Sequence, residues 1–294
     1  MNTIRTVAEL RPLVFGHRRE GRSIGLVPTM GAFHAGHLSL MRRARAECDV
    51  VVVWLFVNPT QFNDASDLTA YPRDEARDAG LAEEIGVDIL FAPAVGQVYP
   101  AGFATTVSVA GLTDTLEGAF RGRAHFDGVT TVVTKMFNMV APDVAYFGQK
   151  DVQQVVVVQQ LVRDLDMPIR IEVCDTVREP DGLAMSSRNV HLSAEERERA
   201  TALGHALDAI DAGLAAGVAD ADALLARAEA ELRAAAIEPE YLALVSAETL
   251  APVPRVEGEV LALVAARVGT TRLIDNHRLM PARVTAGATE NGRQ

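Results

Sequence analysis

The chain has 294 residues, 49% hydrophobic and 23% charged, which is enough apolar material for one large domain or two smaller ones. Its formal net charge of −11 argues against nucleic acid as a partner, because phosphate backbones need a basic face. It has no apolar run as long as a membrane span and no apolar signal segment at its start. Cys48 and Cys174 fit no metal or disulfide spacing. We therefore expect a cytoplasmic protein with no membrane partner.

Residues 1–177 alternate short apolar runs with helical patterns, which is typical of a parallel sheet with helices on both faces. The predicted strands are Ile24–Val27, Val50–Val57, Asp88–Phe91, Thr105–Val109, Val144–Phe147 and Ile169–Val177. The predicted helices are one through Leu38, Leu40, Met41 and Ala44, then Tyr71–Ile85, Val129–Val140 and Val152–Asp164. This order predicts an α/β fold, a Rossmann-like doubly wound parallel sheet.

Residues 178–294 have a different pattern and predict a second, smaller α+β domain at the C-terminal end. Ser193 and Glu196 form a capping box that opens a long helix, and an alanine-rich helix follows near Ala219–Ala236. Three strand-like runs come next, at Tyr241–Val245, Val260–Val268 and Thr271–Ile274. The residues after about Arg278 lack periodicity and predict a loose tail.

The strongest chemical motif is the run Pro28–His37, which leads from a predicted strand into a helix. Ligands in doubly wound sheets bind beyond the carboxyl ends of strands, and the free N–H groups of a helix N-terminus suit phosphate. Gly31 and Gly36 allow the backbone to approach a ligand closely. His34 and His37 lie three residues apart, so both imidazoles could donate to phosphate oxygens. The plainer interpretation is a pair of surface histidines.

A second motif is Gly148-Gln149-Lys150-Asp151, again at the carboxyl end of a predicted strand. Among 28 basic residues only Lys135 and Lys150 are lysines, so a retained lysine could be needed as a compact ammonium. We interpret Lys150 as a phosphate ligand. The alternative is an ordinary turn in which Asp151 caps the following helix.

Two further segments carry polar side chains suited to ligands. The loop Met185–Asn189 offers two hydroxyls and a guanidinium for a triphosphate, and the turn Glu179–Gly182 before it could act as a hinge. The segment Asn58–Phe62 follows the most apolar strand, and its Gln61, with Gln153 and Gln154, could bind a small polar substrate. A polar surface loop, turn amides and exposed glutamines remain the alternatives.

An acidic stretch on the helix after Tyr71 is interpreted differently, as a solvated surface. Its members are Asp74, Glu75, Asp78, Glu83 and Glu84.

Taken together, these blocks resemble the pantothenate synthetase (pantoate–β-alanine ligase) family. The resemblance rests on a set of motifs in the family's order and spacing: Pro28–His37, Asn58–Phe62, Tyr71-Pro72-Arg73, Phe126–Val129, Phe147–Gln154, Arg178–Asn189 and Thr271–Asn276. His-x-Gly-His alone is shared with many nucleotidyltransferases. The family commonly has Arg-Pro-Gly-His-Phe where this chain has the longer Arg121–Phe126, so either Arg121 or Arg123 could face the nucleotide.

The resemblance implies an ATP-dependent condensation of (R)-pantoate with β-alanine through pantoyl adenylate, giving pantothenate, AMP and pyrophosphate. It also implies Mg²⁺, with protein ligands that the sequence does not identify, and a homodimer. His37 would be the proton donor, His34 would lie with it on the phosphates, and Lys150 and Arg188 would neutralise phosphate charge. The implied nucleotide-binding residues are Met30, Gly31, Ala32, Phe33, His34, Ala35, Gly36, His37, Gly148, Gln149, Lys150, Asp151, Val177, Met185, Ser186, Ser187 and Arg188. Gln61 and Gln154 would hold pantoate, and Gln61 would also lie near β-alanine.

Two other functions remain open from the residues. One is another His-x-Gly-His nucleotidyltransferase, which would transfer a nucleotide to a phosphate ester. The other is a non-catalytic nucleotide-binding module, which would bind ATP without turnover and would not need Lys150.

Overall fold

The structure is a computed structural model that describes residues 1–62, 68–69 and 71–281. Its contacts divide the chain into two compact units, Met1–Leu192 and Ser193–Gln294. The first unit includes residues 178–192, which the sequence analysis assigned to the second domain. Most of the predicted tail lies outside the described residues.

The first unit alternates strands and helices. In chain order its elements are β1 (Asn2–Ile4), α1 (Val7–Arg19), β2 (Ile24–Thr29), α2 (Ala35–Glu47), β3 (Val50–Leu55), a 3₁₀ turn (Pro59–Gln61), α3 (Glu75–Ile85), β4 (Ile89–Phe91), α4 (Val95–Val98), α5 (Glu117–Arg121), α6 (Arg123–Val140), β5 (Val144–Gly148), a 3₁₀ turn (Gln149–Asp151), α7 (Val152–Asp164), β6 (Arg170–Cys174) and a 3₁₀ turn (Ser187–His191).

The six strands form one parallel sheet in the order β1-β4-β3-β2-β5-β6. Residues Val50–Trp54 of β3 are all buried, as a strand covered on both faces requires. One face packs against α1, α6 and α7, and the other against α2 and α3. The predicted doubly wound parallel sheet is confirmed.

The chain order reverses at β2, because β3 and β4 lie on one side of it and β5 and β6 on the other. The pairing of β2 with β3 runs from Ile24–Val50 to Thr29–Leu55. The pairing of β2 with β5 comprises Gly25–Val144 and Leu26–Ala145, near the start of both strands. Beyond those pairs the two strands separate, which opens a gap at their carboxyl ends where a doubly wound sheet binds its ligand.

The strand predicted at Thr105–Val109 is wrong, since these residues form no strand in the structure. The backbone of Val107 pairs with α6 instead: its N–H donates to Thr131 Oγ1 at 2.9 Å, and the Thr130 hydroxyl donates to its carbonyl. The sixth strand of the sheet is β1, which the sequence analysis missed together with α1. The helix predicted from Tyr71 begins at Glu75, after Asp74 as its N-cap.

Up to residue 281, the second unit contains three helices and an antiparallel sheet. Its elements are α8 (Ala194–Ala200), α9 (Ala202–Ala215), α10 (Ala221–Ala234), β7 (Pro239–Ser246), β8 (Val260–Val268) and β9 (Thr271–Leu279), with strand order β7-β8-β9. The capping box of Ser193 and Glu196 is confirmed. The single long helix predicted there is two helices that meet at Thr201. Among the described residues, no helix combines the length and the apolarity that a bilayer crossing requires.

Candidate active site

A cleft of about 250 Å³ lies in the first unit at the gap between β2 and β5. This is close to the lower end of the ~300–1,000 Å³ that is usual for small-molecule pockets. Its wall combines polar ends of strands with apolar side chains from β3 and α6, among them Trp54, Val129, Val133 and Met136. Most of the site residues predicted from the sequence line it: Met30, His34, Gly36, His37, Gln61, Gly148, Lys150, Asp151, Gln154, Val177, Met185, Ser186, Ser187 and Arg188.

The imidazoles of His34 and His37 both accept backbone N–H groups at the N-terminus of α2. His34 is the N-cap residue, and its Nδ1 accepts the Gly36 N–H at 3.2 Å. The Nδ1 of His37 accepts the His34 N–H at 3.4 Å. Because each Nδ1 is an acceptor, each neutral ring carries its proton on Nε2. Each ring therefore keeps its Nε2–H group as a side-chain donor at this helix end.

The environment keeps these imidazoles neutral. Burial, followed by the adjacent His34, lowers the pKa of His37 to about 3 despite the opposing charge of Asp151. Burial, followed by the charge of Lys150, also lowers the pKa of His34. The ring centroids lie 4.2 Å apart, so two adjacent charged imidazoles would repel each other. Both shifts favour the neutral form of these rings in the free protein.

Gly36 is required by this packing. A Cβ at this position would lie 2.9 Å from Cε1 and Nδ1 of His34. The second glycine of the motif therefore permits close approach of an imidazole, whereas the sequence analysis assigned it to approach of a ligand.

Lys150 enters the cleft from the turn that follows β5. Its Nζ lies 3.8 Å from Asp151 Oδ1, and its side chain is 21% exposed. Desolvation raises the pKa of Asp151, but Lys150, Arg121 and Arg188 together lower it. Asp151 occupies the N-cap position of α7 without a side-chain capping bond, so the alternative of a simple capping aspartate is not supported.

Residues 177–189 form a compact hairpin and 3₁₀ turn. Met185 N–H donates to the Val177 carbonyl at 2.9 Å, and Ser186 Oγ accepts the Arg188 N–H at 3.3 Å. The Asn189 amide holds the two parts together through Glu179 at 2.7 Å and the carbonyl of Ala184 at 3.1 Å. This bracing presents Met185, Ser186, Ser187 and Arg188 together on the cleft wall.

Gln61 is held by a close approach between the Pro59–Gln61 turn and α6. The amide of the buried Asn58 donates to Gln61 Oε1 at 3.0 Å and to the Gly128 carbonyl at 3.2 Å. A Cβ on Gly128 would lie 2.4 Å from the carbonyl oxygen of Thr60. The Gln61 carbonyl lies 2.6 Å from Nδ1 of His125. The Phe126–Val129 block thus contains a glycine because the turn bearing Gln61 packs directly on the helix.

The two adjacent glutamines of α7 have different environments. Gln154 lines the cleft. Gln153 is 4% exposed, and its amide donates to the carbonyls of Leu112 at 2.7 Å and Thr115 at 2.9 Å while accepting the Glu117 N–H at 2.9 Å. Gln153 therefore braces a loop, which corrects the suggestion that it binds substrate.

Five residues of the predicted nucleotide-binding set do not line the cleft: Gly31, Ala32, Phe33, Ala35 and Gln149. Phe33 is 1% exposed and packs in the core, and Gln149 is buried. The N–H groups of Ala32 and Phe33 donate to the carboxylate of Asp78 on α3, so a protein side chain holds them.

Sequence reasoning missed Asp78. It grouped this residue with a solvated acidic face, yet Asp78 is 1% exposed. The available signal was helical spacing, because Asp78, Ala82 and Ile85 fall on one face of α3 and the other two are apolar.

The segment Arg121–Phe126, where α5 ends and α6 begins, orients its two arginines differently. Arg121 Nε donates to the buried Glu117 at 3.0 Å. The positive charge of Arg121 also helps to lower the pKa of Asp151, and it lowers the pKa of His125 after the larger effect of burial. Arg123 is exposed, with Nη2 3.5 Å from Ser108 Oγ. Of these two arginines, Arg121 is therefore the one whose positive charge acts on a cleft residue, Asp151.

A parallel doubly wound sheet with neutral imidazole donors and an ammonium at its switch point defines the class: an α/β enzyme built to hold an anionic substrate. The chain matches the family model described as pantoate-beta-alanine ligase over residues 2–278. It is 54% identical to the pantothenate synthetase of Cereibacter sphaeroides over 93% of this chain and 98% of that protein.

Two solved structures are also similar. Pantothenate synthetase from Thermus thermophilus has a TM-score of 0.89 and 47% identity, covering 94% of this chain and 99% of that one. Pantoate-beta-alanine ligase from Francisella tularensis, complexed with beta-gamma ATP and beta-alanine, has a TM-score of 0.78 and 32% identity, covering 96% and 100%.

The chain belongs to the pantoate–β-alanine ligase family. It is a ligase of pantothenate biosynthesis that joins pantoate to β-alanine. This membership does not favour the two alternatives, a nucleotidyltransferase acting on phosphate esters or a non-catalytic nucleotide-binding module.

Proposed function

We propose that the cleft uses ATP to activate (R)-pantoate as an acyl adenylate before β-alanine enters. Pantoate's carboxylate attacks the α-phosphorus of ATP and pyrophosphate leaves; the β-alanine amine then attacks the acyl carbon and AMP leaves. The observation that carries this proposal is that His34 and His37, whose Nδ1 atoms accept backbone N–H groups at the N-terminus of α2, line the same cleft as Lys150 and Arg188.

The proposed roles of the cleft residues follow from their chemistry. His34 and His37 donate hydrogen bonds to phosphate oxygens as charge develops, and Lys150 and Arg188 neutralise the phosphates. His37 becomes the proton donor once the negative charge of the bound phosphates raises its pKa and protonates the ring. Ser186 and Ser187 add hydroxyl donors from the braced loop. The nucleotide also contacts the walls formed by Met30, Gly36, Gly148, Asp151, Val177 and Met185.

Gln61 and Gln154 are proposed to hold pantoate, with Gln61 also next to β-alanine. Gln61 approaches the nucleotide wall directly, since its Nε2 lies 3.1 Å from Met30 Sδ. The apolar side chains of Trp54 and Val133 line the same cleft and would exclude water from the adenylate.

We propose that Mg²⁺ accompanies ATP. Within the described ranges, no group of three or more His, Cys, Asp or Glu side chains could enclose a metal ion. The cleft offers the carboxylates of Asp151 and Asp175. This donor set fits Mg²⁺, which proteins commonly hold through one or two carboxylates, water and substrate phosphates. The ion, when bound, would supply positive charge against the phosphates.

The family resemblance also supports a homodimer, testable by sedimentation velocity. A cytoplasmic location is proposed as well, consistent with two cysteines that are both free.

The test is pyrophosphate release measured with ATP and pantoate, with and without β-alanine. We expect pantoate-dependent pyrophosphate in both cases and pantothenate and AMP release only with β-alanine. A nucleotide-binding module would release no pyrophosphate, and a transferase acting on phosphate esters would not respond to pantoate. Absence of pantoate-dependent pyrophosphate would overturn the proposal.

The residue roles have a matched control in the second lysine. His37→Gln and Lys150→Ala should each lose at least about 2–3 kcal/mol of transition-state stabilisation while remaining folded. Lys135 lies outside the cleft on α6, with its ammonium 4.4 Å from the centroid of the Phe103 ring. Lys135→Ala should therefore retain kcat. Equal activity of the two lysine variants would contradict the role given to Lys150.

A further inference from the structure

The loop between β2 and α2 is fixed by a carboxylate from another helix. Asp78 on α3 is 1% exposed, and its two oxygens accept separate backbone N–H groups. Oδ2 accepts Ala32 N–H at 2.8 Å and Oδ1 accepts Phe33 N–H at 2.8 Å. These two peptide groups directly precede His34, the N-cap of α2.

The backbone of this loop has an unusual conformation that needs such a partner. Gly31 and Ala32 both have positive φ, +90° and +53°. Successive N–H groups in such a turn point into one concavity, which attracts an anion. Here the anion is a side chain of the protein, so this concavity is already filled before a phosphate arrives.

The packing around the carboxylate leaves little freedom. A Cβ at Gly31 would lie 3.0 Å from Leu55 Cδ1 and 3.1 Å from Asp78 Oδ2. The cation paired with Asp78 is Arg77, whose Nη1 lies 3.5 Å from Oδ1 and whose side chain is 55% exposed. Removing the carboxylate would leave one buried and one partly buried N–H group without this acceptor, which the loop could relieve by moving.

We infer that Asp78 is a positioning residue for the ligation reaction: by holding Ala32 and Phe33 it fixes the loop whose end places His34 and His37 in the cleft. The inference rests on the proposed roles of these two histidines. It assigns Asp78 no contact with substrate, because its oxygens face the backbone of the loop.

The chain contains a matched control at the opposite end of β2. Asp143 Oδ2 accepts the Ile24 N–H at 2.7 Å, and Oδ1 pairs with Arg18. Asp143→Asn thus replaces a similar backbone-binding carboxylate by the same amide, at the same strand but away from the cleft. Asp78→Asn, Asp78→Ala and Asp143→Asn would be compared for kcat, for KM of ATP and pantoate, and for unfolding in urea.

We expect Asp78→Asn to lower kcat by up to about 100-fold, the effect of misplacing catalytic groups by about 1 Å. Asp78→Ala should be worse, because asparagine keeps one oxygen acceptor. Asp143→Asn should lose stability and keep kcat. If kcat of Asp78→Asn stays within about twofold of wild type, or if Asp143→Asn loses as much, the inference is overturned.

Proton NMR of the imidazoles gives a readout independent of activity, with the His37 signal assigned by its loss in His37→Gln. In the wild type, burial should keep His37 from titrating between about pH 5 and 8; in Asp78→Asn it should titrate there as the loop opens. An unchanged His37 signal in folded Asp78→Asn would overturn the inference. Gly31→Ala, which presses on the same oxygen from the loop side, provides the second variant if Asp78→Asn does not fold. Failure of wild-type pyrophosphate release would count against the proposed function while leaving this readout intact.

Discussion

Substitution of Gly128 by alanine tests how the side-chain amide of Gln61, which is proposed to bind pantoate, is held in place. The added Cβ would lie 2.4 Å from the carbonyl oxygen and 2.7 Å from the carbonyl carbon of Thr60, both backbone atoms. A relaxed carbon–oxygen contact needs about 3.3 Å, so the Pro59–Gln61 turn and α6 must move apart by about 1 Å. Overpacking of this kind costs about 1–3 kcal/mol of unfolding free energy, which exceeds the gain in helix propensity.

We expect Gly128→Ala to raise the KM for pantoate and to lower kcat, together by up to about 100-fold in kcat/KM, because a displacement near 1 Å misplaces Gln61. Steady-state kinetics and urea unfolding measure the two effects. Gly80 is the control: it also lies inside a helix, but a Cβ there would meet nothing within 4 Å. Gly80→Ala should keep full activity and equal or higher stability. Wild-type kcat/KM in Gly128→Ala would refute the packing argument.

Three further outcomes follow from the site. Because His37 binds its proton less tightly folded than unfolded, its contribution to stability is complete above about pH 6.5 and declines toward pH 3. Wild type should therefore lose up to about 1.4 kcal/mol per pH unit from this group, measured by urea unfolding, and an equal slope in His37→Gln would contradict this. Gln153→Ala should lower stability by about 1–3 kcal/mol or more, whereas Gln154→Ala should raise the KM for pantoate at unchanged stability; the reverse pattern would exchange their roles. Gly36→Ala should lower kcat by displacing the His34 ring, and unchanged kinetics would show that the ring has room to move.

The regular part of the fold could be predicted because its strands are continuous apolar runs. Val50–Leu55 and Val144–Gly148 carry enough consecutive buried residues to be recognised without tertiary information. β1 could not be found in this way, since its three residues are mostly exposed and depend on pairing with β4. Thr105–Val109 alternates like a strand, but its partner is a pair of threonine hydroxyls on α6, which periodicity does not reveal.

The site could be predicted where motif and strand end coincide, as at His34, His37 and Lys150. It could not be resolved within a motif, because neighbouring residues on a helix point in different directions. Gln153 and Gln154 are identical in type and adjacent, yet one is buried against a loop and the other lines the cleft. Asp78 illustrates a further limit: its role is set by backbone groups 45 and 46 residues earlier.

The capping geometry of α2 affects how any substitution of its histidines should be interpreted. In each ring, Nδ1 accepts a backbone N–H at the start of the helix, while Nε2–H is the donor left for the proposed ligand. Asparagine is itself a favoured N-cap, and glutamine suits the third helical position of a capping box. His34→Asn and His37→Gln therefore preserve the acceptor at the helix end, but they replace the imidazole Nε2–H by an amide N–H that cannot transfer a proton to the ligand. Alanine removes both the helix-end acceptor and the ligand donor. The kinetic loss of an alanine variant would therefore include a structural part of about 0.5–2 kcal/mol that does not come from the chemistry.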